Sequence, residues 1–189
     1  SLSNPTRLSN TFQSVKGLKI KNETISAYLD CFIDAYILSK SYRYDIKGRS
    51  YIDTPLKYYF TDIGLRNVRL NFRQQEENHI MENIIYNELN ARGFNVDVGV
   101  VEYNHTDKNG KKIRTQLEVD FVVNKTDKRY YIQSALTVAE EEKRQQEINS
   151  LNRIDDSYTK IVVVRDNVLP WIDEKGVQYP RFKVHDDSS

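Results

Sequence analysis

Apolar residues recur at helical spacing in some stretches of the chain and alternate with polar ones in others, and their order predicts helices and a hairpin followed by a larger mixed region. Ile25, Tyr28, Leu29, Phe32, Tyr36 and Ile37 keep a period near 3.6, which predicts a helix from Thr24 to Leu38, capped by Asn22 or Thr24. Asn4-Pro5 opens a shorter helix through Phe12. From Tyr42 to Tyr51 two short strands turn at Lys47-Gly48, and helices before such a hairpin suggest a winged-helix-like unit. Pro55 to Leu70 reads as a connector, with a turn or short helix at Asp62-Ile63-Gly64.

The second region has a clearer order. A helix from Glu76 to Arg92 ends at Gly93, and strands follow over Phe94–Tyr103, Ile113–Asn124 and Arg129–Thr137. Turns are predicted at Asp107–Lys111 and Thr126–Lys128, where glycine and polar residues interrupt the apolar pattern. Glu140 to Ile154 is helical, Thr159 to Arg165 is a buried strand, Trp171 and Tyr179–Val184 add an edge strand, and Asp186–Ser189 fray. The expectation is α/β: a restriction-endonuclease-like αβββαβ core over residues 71–189, preceded by a small winged-helix-like module and connector over 1–70.

Composition narrows the function. Charged residues make up 29% of the chain, but the net charge is only +1, so nucleic-acid binding would need a local patch. Lys40, Arg43, Lys47 and Arg49 offer one on the hairpin, where a solvated wing or a surface docked on a neighbouring domain is the competing reading. The helix from Thr24 to Leu38 carries no Arg or Lys and two aspartates, Asp30 and Asp34, so it is not expected to read bases. Cys31 lies on an apolar helical face without cysteine partners, which predicts a small buried thiol. No apolar run is long enough to span a bilayer and no signal-like segment opens the chain, so a cytoplasmic location is expected. The chain starts at Ser1 and its single methionine is Met81, which predicts a fragment of a longer protein.

Three residues on successive elements carry candidate chemistry: Glu82 on the first core helix, Asp120 in L-E-V-D-F-V-V, and Gln133 in Y-Y-I-Q-S-A. Simple alternation would put Ile113, Leu117, Val119, Phe121 and Val123 on one strand face, with Gln116, Glu118 and Asp120 on the other. Carboxylates with an amide oxygen are hard donors suited to magnesium or manganese, and such an ion activates water and offsets charge on a phosphate. The helical wheel puts Glu82 at the border of the apolar half and Glu88 inside it as a competing buried carboxylate.

The segments S-L-S-N-P-T-R-L, T-I-S-A-Y-L, L-K-Y-Y-F-T-D-I-G-L, M-E-N-I-I-Y-N-E-L, L-E-V-D-F-V, Y-Y-I-Q-S-A and R-Q-Q-E-I-N-S-L followed by K-I-V-V-V resemble a region found at the C-terminus of prokaryotic AAA-type ATPases. The last domain of that family belongs to the PD-(D/E)xK nuclease-like superfamily. The resemblance maps superfamily catalytic and metal-binding roles onto Glu82, Asp120 and Gln133. It also puts Ala135 where the superfamily has a lysine that stabilises charge or positions water. Arg144, on the inward side of the following helix, is the candidate substitute, with Lys143 opposite it; the competing role for Arg144 is an ion pair with Glu147 or Glu82. The resemblance implies an accessory region of an ATPase with a degenerate site, serving nucleic-acid or protein interaction; Ala135 and Gln133 predict weak Mg2+ or Mn2+ binding, and the four hairpin charges predict at most weak, non-specific DNA contact. An active metal-dependent DNA endonuclease and a structural or oligomerisation module of the ATPase are the alternatives. ATP would be bound only by an upstream domain, since no G-x-x-x-x-G-K-[ST] occurs here.

Overall fold

The computed structural model describes residues 2–69, 77–106, 108, 110–166 and 169–180. The chain is a mixed α/β protein. Its described elements are β1 (Leu2–Ser3), α1 (Pro5–Lys16), α2 (Asn22–Asp34), β2 (Leu38–Asp45), β3 (Ser50–Phe60), α3 (Ile63–Arg69), α4 (Glu77–Ala91), β4 (Asn95–Thr106), β5 (Lys112–Lys125), β6 (Lys128–Ala135), α5 (Glu141–Ile148), β7 (Thr159–Val164), β8 (Trp171–Ile172) and β9 (Gln178–Tyr179). The strands form one nine-stranded sheet in the order β1-β3-β2-β4-β5-β6-β7-β9-β8. From α4 to β7 the helix and strand order is the expected one. Both β2–β4 and β6–β7 are parallel, and the β4–β5 and β5–β6 pairs are antiparallel.

The sheet runs through the expected boundary at residue 70. Strands β2 and β3 are not a separate wing, because Arg43, Tyr44 and Asp45 pair with Val98, Gly99 and Val100 of β4. The stretch expected to be a connector opens as strand: Leu56 to Phe60 continue β3, as the β-favouring run Tyr58-Tyr59-Phe60 allows. Pro55 falls where the β2–β3 register is interrupted, between the Arg43–Ile52 and Ser41–Lys57 pairs, a position at which its missing N–H costs no ladder bond.

The N-terminal helices depart from expectation in length and burial. Asn4 caps α1 by accepting a bond from the Arg7 N–H, and Gly17 closes the helix in the left-handed region. Helix α2 stops at Asp34, so Ile37 and Leu38 leave it and lead into β2. Only Ile25 of α2 is buried, while Tyr28, Phe32 and Tyr36 are exposed. Cys31 is exposed as well, contrary to the buried thiol expected from the wheel. The wheel located an apolar stripe, but no described layer covers most of it.

Both faces of the sheet carry a core. Tyr59, Phe121, Val123 and Ile132 pack with Ile85 and Tyr86 of α4, whereas Val119, Val122, Tyr131 and Val162 pack with Ile148 and Leu151 beyond the opposite face. Helix α5 ends at Ile148 and a short 3-10 turn covers Leu151–Arg153, so the expected single helix to Ile154 is broken though its inward residues are the expected ones. Among the described residues, no helix is long and apolar enough to cross a membrane. The predicted turn residues Asp107 and Asn109, the start of the predicted helix at Glu76, and residues 181–189, including the rest of the predicted edge strand and the frayed end, lie outside the described residues.

A bulge shapes the middle of the sheet. Asp97 pairs with Val122 and Gly99 with Val119, so one extra residue of β5 is inserted around Asp120. This breaks the simple alternation expected for the strand: Val119 and Phe121 belong to different cores. Opposite the bulge, a Cβ on Gly99 would lie 2.8 Å from the Val119 Cβ and 2.9 Å from methyl groups of Ile46 and Val122. Gly99→Ala is therefore expected to destabilise the fold by roughly 1–3 kcal/mol through overpacking. Urea unfolding of the variant measures this, and an unchanged midpoint would refute the close-packed bulge.

Candidate functional site

Helix α4 buries a stripe that includes a carboxylate. Glu82, Ile85 and Tyr86 are buried, with Leu89 packed beside them, which is the i, i+3, i+4, i+7 spacing of one helical face. Glu82, expected at the border, is thus inside; Glu88, expected inside, is exposed and accepts a bond from Arg92 at 2.6 Å. The apolar wheel misplaced them because the helix turns Ile84, not Glu82, toward solvent.

Beneath Glu82 lies a cation that sequence reasoning missed. Lys57 of β3 is only 4% exposed, and its Nζ sits 2.6 Å from Glu82 Oε1 and 2.6 Å from Glu118 Oε1. The Tyr59 hydroxyl, two residues along the same strand face, also donates to Glu82 Oε1 at 2.6 Å. Burial opposes the charge on Lys57, but Glu82, Glu118 and Asp120 outweigh it and raise its pKa. Burial and then Glu82 push the Tyr59 phenol well above its ordinary value, so it stays a donor.

Asp120 enters the same cleft from the bulge. Its Oδ2 accepts bonds from the Ser134 N–H at 2.8 Å and the Ser134 hydroxyl at 2.6 Å. The Asp120 N–H in turn donates to Gln133 Oε1 at 3.2 Å, so Asp120 and Gln133 are direct neighbours. Burial first, then repulsion by Glu82, lifts the Asp120 pKa to about 7, against the opposing pull of Lys57 and Ser134. The cleft has a volume of about 360 Å³ and is also lined by His79, Ala135 and Glu147. His79 Nδ1 is 4.0 Å from Glu82 Oε2, and burial raises the Glu147 pKa.

Glu82, Asp120 and Gln133 already take partners within the protein. Each turns a donor oxygen toward a protein group: Glu82 to Lys57 and Tyr59, Asp120 to Ser134, and Gln133 to the Asp120 N–H. Among the described residues, no group of three or more His, Cys, Asp or Glu side chains is arranged to hold a metal ion.

No family model matches the chain. It is 34% identical over 162 residues to an uncharacterized protein of Haemophilus influenzae, a match covering 86% of this chain and 36% of that protein. The chain therefore spans about a third of the relative's length. No solved structure matches.

Arg144 is not in the cleft with the other three candidates. It pairs with Glu141 one turn earlier on α5, lies over the Trp171 ring at 5.1 Å, and lines a separate pocket. Its expected partners Glu147 and Glu82 are not the ones it takes. Lys143 pairs with Glu140 at 3.1 Å on the exposed side. Helix periodicity gives only a facing direction; which part of the sheet α5 crosses is a tertiary fact. A signal for Lys57 did exist in the sequence. In a strand through Lys57-Tyr58-Tyr59, Lys57 and Tyr59 share a face, a pairing that a connector would not impose.

Proposed function

We propose that this chain is a C-terminal accessory region of an AAA-type ATPase, with a core of the PD-(D/E)xK nuclease-like class whose cleft serves interaction and does not cleave phosphodiesters. The resemblance across the segments set out above supports the assignment, as does the α4-β4-β5-β6-α5-β7 order that brings Glu82, Asp120 and Gln133 together. The observation that carries the non-cleaving reading is the internal pairing of Lys57 with both Glu82 and Glu118. A lysine held this way has its charge offset by carboxylates at contact distance, and it occupies one oxygen of each, Glu82 Oε1 and Glu118 Oε1. The cleft's remaining polar groups are then available for docking.

Lys57 itself favours a second reading. It places a cation among the candidate residues although Ala135 supplies none, which suits a metal-dependent DNA endonuclease with a relocated lysine. Incubation of purified protein with supercoiled plasmid and magnesium or manganese separates the two. No nicking is the expected result. Metal-dependent nicking abolished by Asp120→Ala would instead establish the enzyme, with Lys57 as the next residue to replace.

A further inference from the structure

The four hairpin charges do not form one patch: Lys47 lines a pocket with Glu102 and Arg114, and Arg43 reaches Gln116 at 3.5 Å. Arg49, however, joins residues far away in sequence. The β2–β3 turn, the β5–β6 turn and the start of β7 enclose a cavity of about 360 Å³ lined by Arg49, Lys128, Arg129 and Tyr158. From Gln133, in the candidate cleft, to Arg129 is four residues of strand, roughly 13 Å at 3.3 Å per residue.

Arg129 is held rigidly at its centre. The guanidinium lies 4.9 Å from the Tyr44 ring centroid and 5.5 Å from that of Tyr158. Its Nε donates to Asn124 Oδ1 at 2.8 Å and an Nη to the Tyr44 hydroxyl at 3.3 Å. A second groove, lined by Lys40, meets this one at Asn124 and Arg129. The carboxylates of the first groove are Asp127 and Asp156, and Asp97 lines the second; Asp156 is engaged by the Tyr131 hydroxyl at 2.5 Å and the Tyr158 N–H at 3.2 Å, and Asp97 by the Tyr51 hydroxyl at 3.0 Å. Tyr158 is 45% exposed, with Arg129 over its ring and Tyr131 edge-on to it at 6.2 Å, which leaves part of the ring at the surface beside the cations.

We infer that this groove binds single-stranded nucleic acid, with Arg49, Lys128 and Arg129 on the phosphates and a base stacked on Tyr158. Cations that track a backbone, interleaved with an aromatic ring that accepts any base, are the two requirements for sequence-tolerant single-strand binding. A guanidinium already fixed by two rings loses little freedom when a phosphate arrives. The choice of ligand rests on the interaction role proposed above, while the groove itself is distinct from the candidate cleft.

The test is fluorescence anisotropy of a labelled 20-nucleotide oligo-dT over a sodium chloride series, using the whole chain and exposed-residue variants that leave the core intact. Wild type is expected to bind in the micromolar range at low salt. Arg49→Ala/Lys128→Ala should weaken this about tenfold or more and reduce the slope of log K against log salt by about 1.4, two phosphates at ~0.7 each. Tyr158→Ala should weaken it roughly fivefold or more, the low end of one lost stack. Lys143→Ala/Lys175→Ala removes the same charge outside the groove and should change little. Equal loss from that control, an unaffected Arg49/Lys128 variant, tighter binding of duplex than of oligo-dT, or no wild-type binding would each overturn the inference. Asp120→Ala should bind oligo-dT as the wild type does, and loss of binding in it would put the ligand in the cleft and overturn the inference; plasmid nicking by the wild-type chain overturns the non-cleaving cleft without touching the groove.

Discussion

Lys57→Ala is expected to lower the stability of the chain at neutral pH by roughly 3–5 kcal/mol, the cost of leaving a buried partner charge uncompensated. Lys57 and Glu82 are 5% and 10% exposed at their side chains, and Glu118 is only a third exposed. Removing the ammonium leaves two carboxylates facing each other beside Asp120, so the loss exceeds that of any exposed pair such as Arg92–Glu88. The pKa of Lys57 is raised in the fold, so its contribution is complete below its unfolded value near ~10.4 and is lost only as pH climbs through the higher folded value. Urea unfolding at pH 7 measures the effect. A Lys57→Met/Glu82→Gln double variant should recover part of it, since it removes charge from both sides; a single variant within about 1 kcal/mol of wild type would show that the cluster is solvated.

Stability is expected to fall as pH rises from about 4 to about 7 on account of Asp120, and Asp120→Asn should remove that dependence. The folded carboxyl holds its proton up to about pH 7, whereas an unfolded aspartate releases it near ~3.9. Between those values the folded state binds more protons, so each rise in pH favours unfolding; above about 7 both states are ionised and the dependence flattens. The gap corresponds to a span on the order of 4 kcal/mol. An asparagine carbonyl can still accept the two Ser134 bonds, so Asp120→Asn should be more stable than wild type at pH 8 and close to it at pH 4. Unfolding midpoints from pH 4 to 8 check this. Parallel curves for the two proteins would mean that Asp120 is ionised throughout.

What the sequence determined by itself was local and periodic. Alternation and helical spacing located α4, β4, β5, β6, α5 and β7, because each must put one face into a core and a period reports that need. Their order then brought Glu82, Asp120 and Gln133 to one place. Three things were decided only by tertiary structure. The parallel pairing of β2 with β4 joined the hairpin to the sheet, and no local period encodes which strand edge another strand will find. The bulge at Asp120 overrode simple alternation, because Gly99 on the neighbouring strand leaves room for it. The cation of the site came from Lys57, 63 positions before Asp120, and not from Arg144, whose helix crosses the sheet beside Trp171. A charge is assigned to a site by the element that carries it across the core, and only long-range packing fixes where that element lies.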